Sequence, residues 1–174
     1  LANPDGYLCR TAAGHPDCTI VERYGRVGHA EEAAMTARDL MTTNPVTASP
    51  LASLAEVWDL MRDLEIRHVP VVEDGALVGM LSDRDLSRLD MSRMFEGADA
   101  LRQELSTPIV KVMNADVIAI EPETDLDEII DLLLEHKVGA LPVVRLGSRE
   151  VVGIVSYIDV LRAIRDELDE AGEA

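Results

Sequence analysis

Aromatic residues are scarce in this chain. Phe, Trp and Tyr together make up 3% of its 174 residues, so a core has to be built from aliphatic side chains. Lysine occurs only at 111 and 137, and 33 acidic residues against 16 basic ones leave a formal charge of −17. Duplex-binding surfaces release counterions from phosphates and need a basic face, so no DNA or RNA polymer is expected as a partner. A single nucleotide remains open, because its phosphates need only a local basic cluster. The acidic excess otherwise serves solubility. No apolar run reaches the roughly 18 residues of a membrane span, and no stretch has the make-up of a secretory leader. No membrane insertion is expected. Two cysteines make a poor disulfide framework, which points to a reducing cytoplasm.

Catalytic signatures are missing as well. There is no G-x-S-x-G, no Walker loop and no G-x-G-x-x-G. Ser82, Asp85 and His68 supply the residue types of a hydrolytic triad, but Ser82 stands at an expected helix start, where Ser is a favoured cap. No catalytic residue is assigned and no enzyme activity is expected.

What the chain does contain is a unit written twice. Ile66 to Leu89 reads IRHVPVVEDGALVGMLSDRDLSRL, and Val138 to Ile164 reads VGALPVVRLGSREVVGIVSYIDVLRAI. Met41 and Met113, Pro50 and Pro122, Leu54 and Leu126, Glu56 and Glu128, and Pro70 and Pro142 all lie 72 apart. From Gly79 to Gly153 the offset is 74, because Arg145 to Glu150 lengthens one turn, where insertions are tolerated. The expected organisation is an N-terminal extension over 1–36, disordered in part, a first repeat over 37–92, a linker over 93–108, a second repeat over 109–165 and a frayed acidic tail over 166–174.

Within the first repeat, Thr42 to Pro45 has turn chemistry and Val46 to Ala48 is a candidate strand. Ser53 with Glu56 is a capping box. Leu54, Val57, Trp58, Met61 and Leu64 form a helical stripe expected to be core throughout. Arg67 to Val72 and Ala76 to Leu81 read as strands joined at Glu73-Asp74-Gly75. Ser82 should cap a helix reaching about Asp90. The second repeat restates the cap with Asp125 and Glu128 and the stripe with Leu126, Ile129, Ile130 and Leu133. Short helices are expected over 29–38 and 98–105. A unit this small buries little surface alone, so two should stack sheet against sheet.

The repeated Ser-x-x-Asp stands at a strand-to-helix junction in both copies. A helix start attracts phosphate through its free N–H groups, and an Asp one turn in can accept hydrogen bonds from a ribose diol. Plain capping is the competing reading of the same residues. Arg67 and His68 lie on the strand beside the first junction. Arg is seldom buried unpaired, and with Arg84 it offers phosphate ligands; surface ion pairs and an ordinary strand histidine are the alternative.

Taken together and in order, Asp39-Leu40-Met41, the Val-Pro-Val-Val and Leu-Pro-Val-Val strands, Val78 to Leu86 and Val152 to Leu161 resemble the CBS domain, named after cystathionine β-synthase. It occurs as tandem pairs called Bateman modules, and the resemblance covers about residues 37 to 165. It implies an α+β fold of two β-α-β-β-α repeats packed pseudo-symmetrically through their sheets. It implies adenosine ligands (AMP, ADP, ATP, S-adenosylmethionine or NAD) in clefts between the repeats, acting as regulatory ligands rather than required cofactors. Carried over residue by residue, Ser82 and Asp85 would hold phosphate and ribose at one site, with Arg84, Arg67 and His68 near phosphate. Ser156 and Asp159 would define the other, with Gly139 and Ala140 letting adenine approach the backbone. Val46 and Ile118 would pack on the bases. The resemblance also implies a homodimer and a regulated enzyme or transporter as partner. One alternative is a ligand-free dimerisation or protein-interaction module. Another is a metal protein using Cys9, His15, Cys18 and His29, whose spacing matches no compact zinc pattern.

Overall fold

The computed structural model describes residues 7–11, 19–23, 35–87 and 98–172. Strands β1 (Tyr7–Thr11) and β2 (Thr19–Arg23) pair antiparallel. This hairpin was not legible in the sequence, where scattered Gly, Pro and His surround two runs of only five residues each. Helix α1 (Ala37–Leu40) starts at a Thr36 cap. Met35 and Thr36 are therefore not helical, against the helix expected over 29–38; its residues 29–34 lie outside the described ones. Strand β3 (Thr42–Thr43) follows, where a turn was expected. The turn comes one residue later, at Asn44, whose φ is 48°.

Helix α2 (Leu54–Asp63) is closed by the Ser53 and Glu56 capping box. Leu54, Val57 and Met61 are buried along it, but Trp58 is 46% and Leu64 48% exposed. That corrects the expectation of an all-core stripe. Trp58 and Leu64 sit at the two margins of the apolar arc, where an amphipathic helix gives way to water.

Strands β4 (His68–Glu73) and β5 (Ala76–Ser82) form a hairpin. Its two-residue loop, Asp74-Gly75, has φ of 49° and 80°, the left-handed pair that a tight hairpin demands. Helix α3 (Asp83–Ser87) follows directly; the stretch to Asp90 lies outside the described residues. Helix α4 (Ala98–Leu105) forms where expected, and Ile109–Lys111 make a 3-10 turn.

Helix α5 (Leu126–His136) is capped by Asp125, which accepts from the Glu128 amide at 2.8 Å. Strands β6 (Ala140–Val144) and β7 (Val151–Ser156) restate the hairpin with a six-residue turn, inside which Gly147 has a φ of 70°. Both hairpins carry a register slip at the same place, between Val71 and Val72 and between Val143 and Val144. Helix α6 (Tyr157–Gly172) runs on through the acidic stretch that was expected to fray from residue 166. No helix among the described residues is long and apolar enough to cross a membrane.

The candidate strand at Val46 to Ala48 is reduced to one bridge. Ala48 donates to Pro70 and accepts from Val72, at 3.0 and 2.9 Å. Ile120 does the same between Pro142 and Val144, at 3.0 and 2.8 Å.

Two compact units result. The middle unit is Val46–Val117; the split unit joins the described residues up to Pro45 to those from Ile118 on. Lead segments are thus exchanged between repeats. Thr36 bridges Asp125 in the split unit, and Ser53 bridges Pro108 in the middle unit, the same pairing at the same offset. Met41 lies over Gly153 of β7, and Met113 over Gly79 of β5. Each thioether occupies the place a Cβ would need, which is why glycine stands there. Each unit has its own aliphatic core, around Leu54, Val57, Val69, Val71 and Leu81 in one and Ile129, Leu132, Leu141, Val143 and Val155 in the other.

Candidate functional site

In each unit the second strand of the hairpin turns into a helix at a serine. The middle unit pairs His68 with Ser82 at the end of its ladder; the split unit pairs Ala140 with Ser156. One residue on, the Asp83 amide donates to the Arg67 carbonyl at 3.0 Å, and the Tyr157 amide donates to the Gly139 carbonyl at 3.1 Å. Helix start and strand start are therefore clasped together twice, by backbone alone.

The serines and aspartates repeat the same bonding. The amide and hydroxyl of Ser82 both donate to Oδ2 of Asp85, at 2.9 and 2.6 Å, and the Asp85 amide donates to Ser82 Oγ at 3.4 Å. Ser156 donates to Oδ2 of Asp159 through both groups, at 2.8 and 2.6 Å. All four side chains are half-buried. Capping by itself does not mark a site, since Thr36 with Asp39 and Ser53 with Glu56 bond the same way. In those two, hydrogen bonds from the cap backbone and hydroxyl hold the Asp39 and Glu56 carboxyls below their usual range. What sets the other two pairs apart is their place, at the strand-to-helix turn. Oδ1 of Asp159 faces Arg162 Nη1 at 3.7 Å. Arg162 was missed in the sequence, although its i+3 spacing from Asp159 was the available signal.

The remaining expected residues divide by unit. Arg67, His68 and Arg84 join Ser82 and Asp85 in the middle unit, with both arginines exposed and His68 half-buried. Burial pushes the His68 imidazole below its ordinary value; Asp83 opposes that, Arg84 adds to it, Asp85 opposes and Arg67 adds. The ring thus lies within electrostatic reach of all four charges. Val46 begins this unit and is 42% exposed. Gly139, Ala140, Ser156, Asp159 and Ile118 fall in the split unit, where Ala140 is buried and Ile118 packs on the core. Strand start and helix start are charged in the middle unit. In the split unit Gly139, Ala140, Tyr157 and Ile158 replace those charges.

Among the described residues no three metal-binding side chains converge. The side chains of Cys9, His15, Cys18 and His29 lie outside the described residues.

A family model described as "CBS domain" matches residues 37–92 and 109–166. The CBS domain-containing protein YhcV of Bacillus subtilis is 32% identical over 123 residues, covering 71% of this chain and 81% of YhcV. Several further curated relatives are longer, and the chain spans about half their length or less. Among solved structures, the CBS domain pair of protein MJ0100 in complex with 5′-methylthioadenosine and S-adenosylmethionine superposes with a TM-score of 0.64 at 25% identity, covering 77% of this chain and 98% of that one. CBSX2 in complex with AMP gives 0.63 at 28% identity, covering 75% and 96%.

Proposed function

Because the chain belongs to the CBS-domain family, we propose that it is a non-catalytic regulatory module that binds adenosine-containing ligands at its two strand-to-helix turns. The observation that carries this is the twice-written Ser-x-x-Asp at the strand-to-helix turn, with Oδ2 of each Asp tied to its own serine; Oδ1 is offered to a diol, in Asp159 in place of the exposed Arg162. Relatives of the same architecture that hold AMP, or methylthioadenosine with S-adenosylmethionine, support it. Asp85 and Asp159 take the ribose, Ser82 and Ser156 the phosphate side. Arg67, His68 and Arg84 face phosphate, Gly139 and Ala140 let adenine approach, and Val46 and Ile118 meet the bases. Among AMP, ADP, ATP, NAD and S-adenosylmethionine, Arg67 and Arg84 of the middle unit favour the phosphorylated ligands. The ligand acts by preferring one conformation over another, and the signal passed to a regulated enzyme or transporter cannot exceed that preference. A cytoplasmic location fits this reading.

A homodimer fits the same reading. Ile158, Leu161 and Leu168 lie at helical spacing on the exposed side of α6, and Leu168 is 67% exposed. This stripe also favours the second reading, a dimerisation module that binds no ligand.

A thermal-shift panel of the five ligands separates the two. At ~100 times the Kd a bound ligand adds ~2.7 kcal/mol, which in a chain of this size raises Tm by ~5–10 °C. Asp85→Asn together with Asp159→Asn should abolish the shift. A folded sample that shows none with any of the five at about millimolar concentration, tight enough to matter in a cell, would leave only the dimerisation module.

A further inference from the structure

His68 differs from the other residues around the middle unit's strand-to-helix turn in being able to change charge near neutral pH. It is half-buried, at the first position of β4, opposite Ser82 in the ladder. Four charged groups lie within electrostatic reach of it: Arg67 from the segment before β4, and Asp83, Arg84 and Asp85 from α3. Two acids oppose two bases there, and burial, the largest influence, holds the imidazole below its ordinary range, which favours the neutral ring when no ligand is bound. A phosphate arriving beside Arg67 and Arg84 changes that balance. It adds one to two negative charges next to a ring that is already shielded from water, and favours the imidazolium.

Resting on the adenosine reading above, we propose that His68 is the phosphate-selecting group of the middle unit, taking up a proton as a phosphorylated adenosine ligand binds. The proton comes from solvent to one ring nitrogen, and the imidazolium then donates to a phosphate oxygen. Adenosine itself brings no charge and takes up no proton. The split unit has Ala140 at the equivalent place, so its binding is not coupled to protons in this way. The consequence is selectivity that depends on pH: acidification favours AMP over adenosine in the middle unit alone.

Calorimetric titration of AMP near pH 6.5 in buffers of different ionisation enthalpy counts the protons exchanged. Because the phosphate of AMP also titrates near pH 6, the decisive quantity is the difference between wild type and His68→Gln. Wild type should take up protons that His68→Gln does not, and its affinity for AMP should gain on the variant's as the pH is lowered. As a check independent of the substitution, the His68 ring resonance of the wild-type protein should titrate at higher pH with AMP than without it, and be unmoved by adenosine. If AMP binds with equal proton exchange in both proteins, or leaves the His68 titration where it was, the proton coupling is wrong while the adenosine reading stands. If neither AMP nor adenosine binds, the proton coupling is wrong, and the adenosine reading falls with it only when the five-ligand panel is negative as well.

Discussion

The two strand-to-helix turns share a backbone and differ in their chemistry. Ser82 with Asp85 and Ser156 with Asp159 bond alike to within about a tenth of an ångström. Around the first stand Arg67, His68, Asp83 and Arg84; around the second stand Gly139, Ala140, Tyr157 and Ile158. A duplicated unit has kept the hydrogen bonds that hold its turn and changed the side chains that a ligand would meet. The lesson is that the cap is structural in both copies, and that any difference in ligand preference must come from the residues flanking it.

Substitutions at equivalent positions test how deep the likeness goes. The largest effect should come from the first residue of the packing helix. Leu54 is fully buried and Leu126 half-buried. Leu54→Ala should cost ~2–5 kcal/mol, and Leu126→Ala ~1–2 kcal/mol because less apolar area is lost, both read from urea midpoints. Equal costs would show that the two cores are packed alike after all.

The glycine under each methionine comes next. A Cβ at Gly79 would meet the Sδ, Cε and Cγ of Met113, the far end of a flexible chain; at Gly153 it would meet the Sδ, Cγ and Cβ of Met41. The base of a side chain cannot swing away. Gly153→Ala should therefore cost ~1–3 kcal/mol by overpacking, and Gly79→Ala distinctly less, again in urea unfolding. The reverse order would mean that the lead segments are not held as described.

A smaller effect should follow pH. The folded His68 has its pKa lowered by burial, while the unfolded residue titrates near 6.5. The unfolded chain therefore binds the proton more readily, and stability falls as the pH drops from about 6.5 toward the folded value. His68→Gln removes this contribution. Thermal melts of both proteins between pH ~7.5 and ~5.5 should show the steeper decline in wild type. The split unit, with Ala140 in that place, supplies no counterpart.

The smallest effect concerns Arg162. It is exposed and 3.7 Å from Asp159 Oδ1, a surface pair worth a few tenths of a kcal/mol. Arg162→Ala should leave stability within ~0.5 kcal/mol of wild type and, if Asp159 takes a ribose, strengthen adenosine binding by freeing that oxygen. Weaker binding would show that Arg162 itself touches the ligand.

Much of the fold was legible because its signals are local. The Asp74-Gly75 turn between alternating apolar runs announced a hairpin, and Ser53 with Glu56 announced a helix start. The serines and aspartates of the turns were legible because they recur. Where the reading failed, the cause was tertiary. Val46 to Ala48 has strand composition but meets a partner at one residue only. Thr42 and Thr43 have turn composition but find the edge of β7. Trp58 and Leu64 have core character but lie at the half-exposed margins of the α2 stripe. The hydrogen bond between Asp83 and Arg67, which brings the His68 strand to the helix start, joins residues 16 apart, beyond the reach of any local pattern.

The sequence alone determined that one small unit is present twice, where its hairpins and capped packing helices lie, and which side chains differ between the copies. Each of these depends on residues close together in the chain: alternation, caps and turn chemistry. Only the tertiary structure decided which lead segment completes which unit. Thr36 with Asp125 and Ser53 with Pro108 are long-range pairings between near-identical alternatives, Met41 or Met113 over Gly153 or Gly79. Local propensity is the same for either choice, so the difference lies in chain connectivity and in how each segment fits the core it covers.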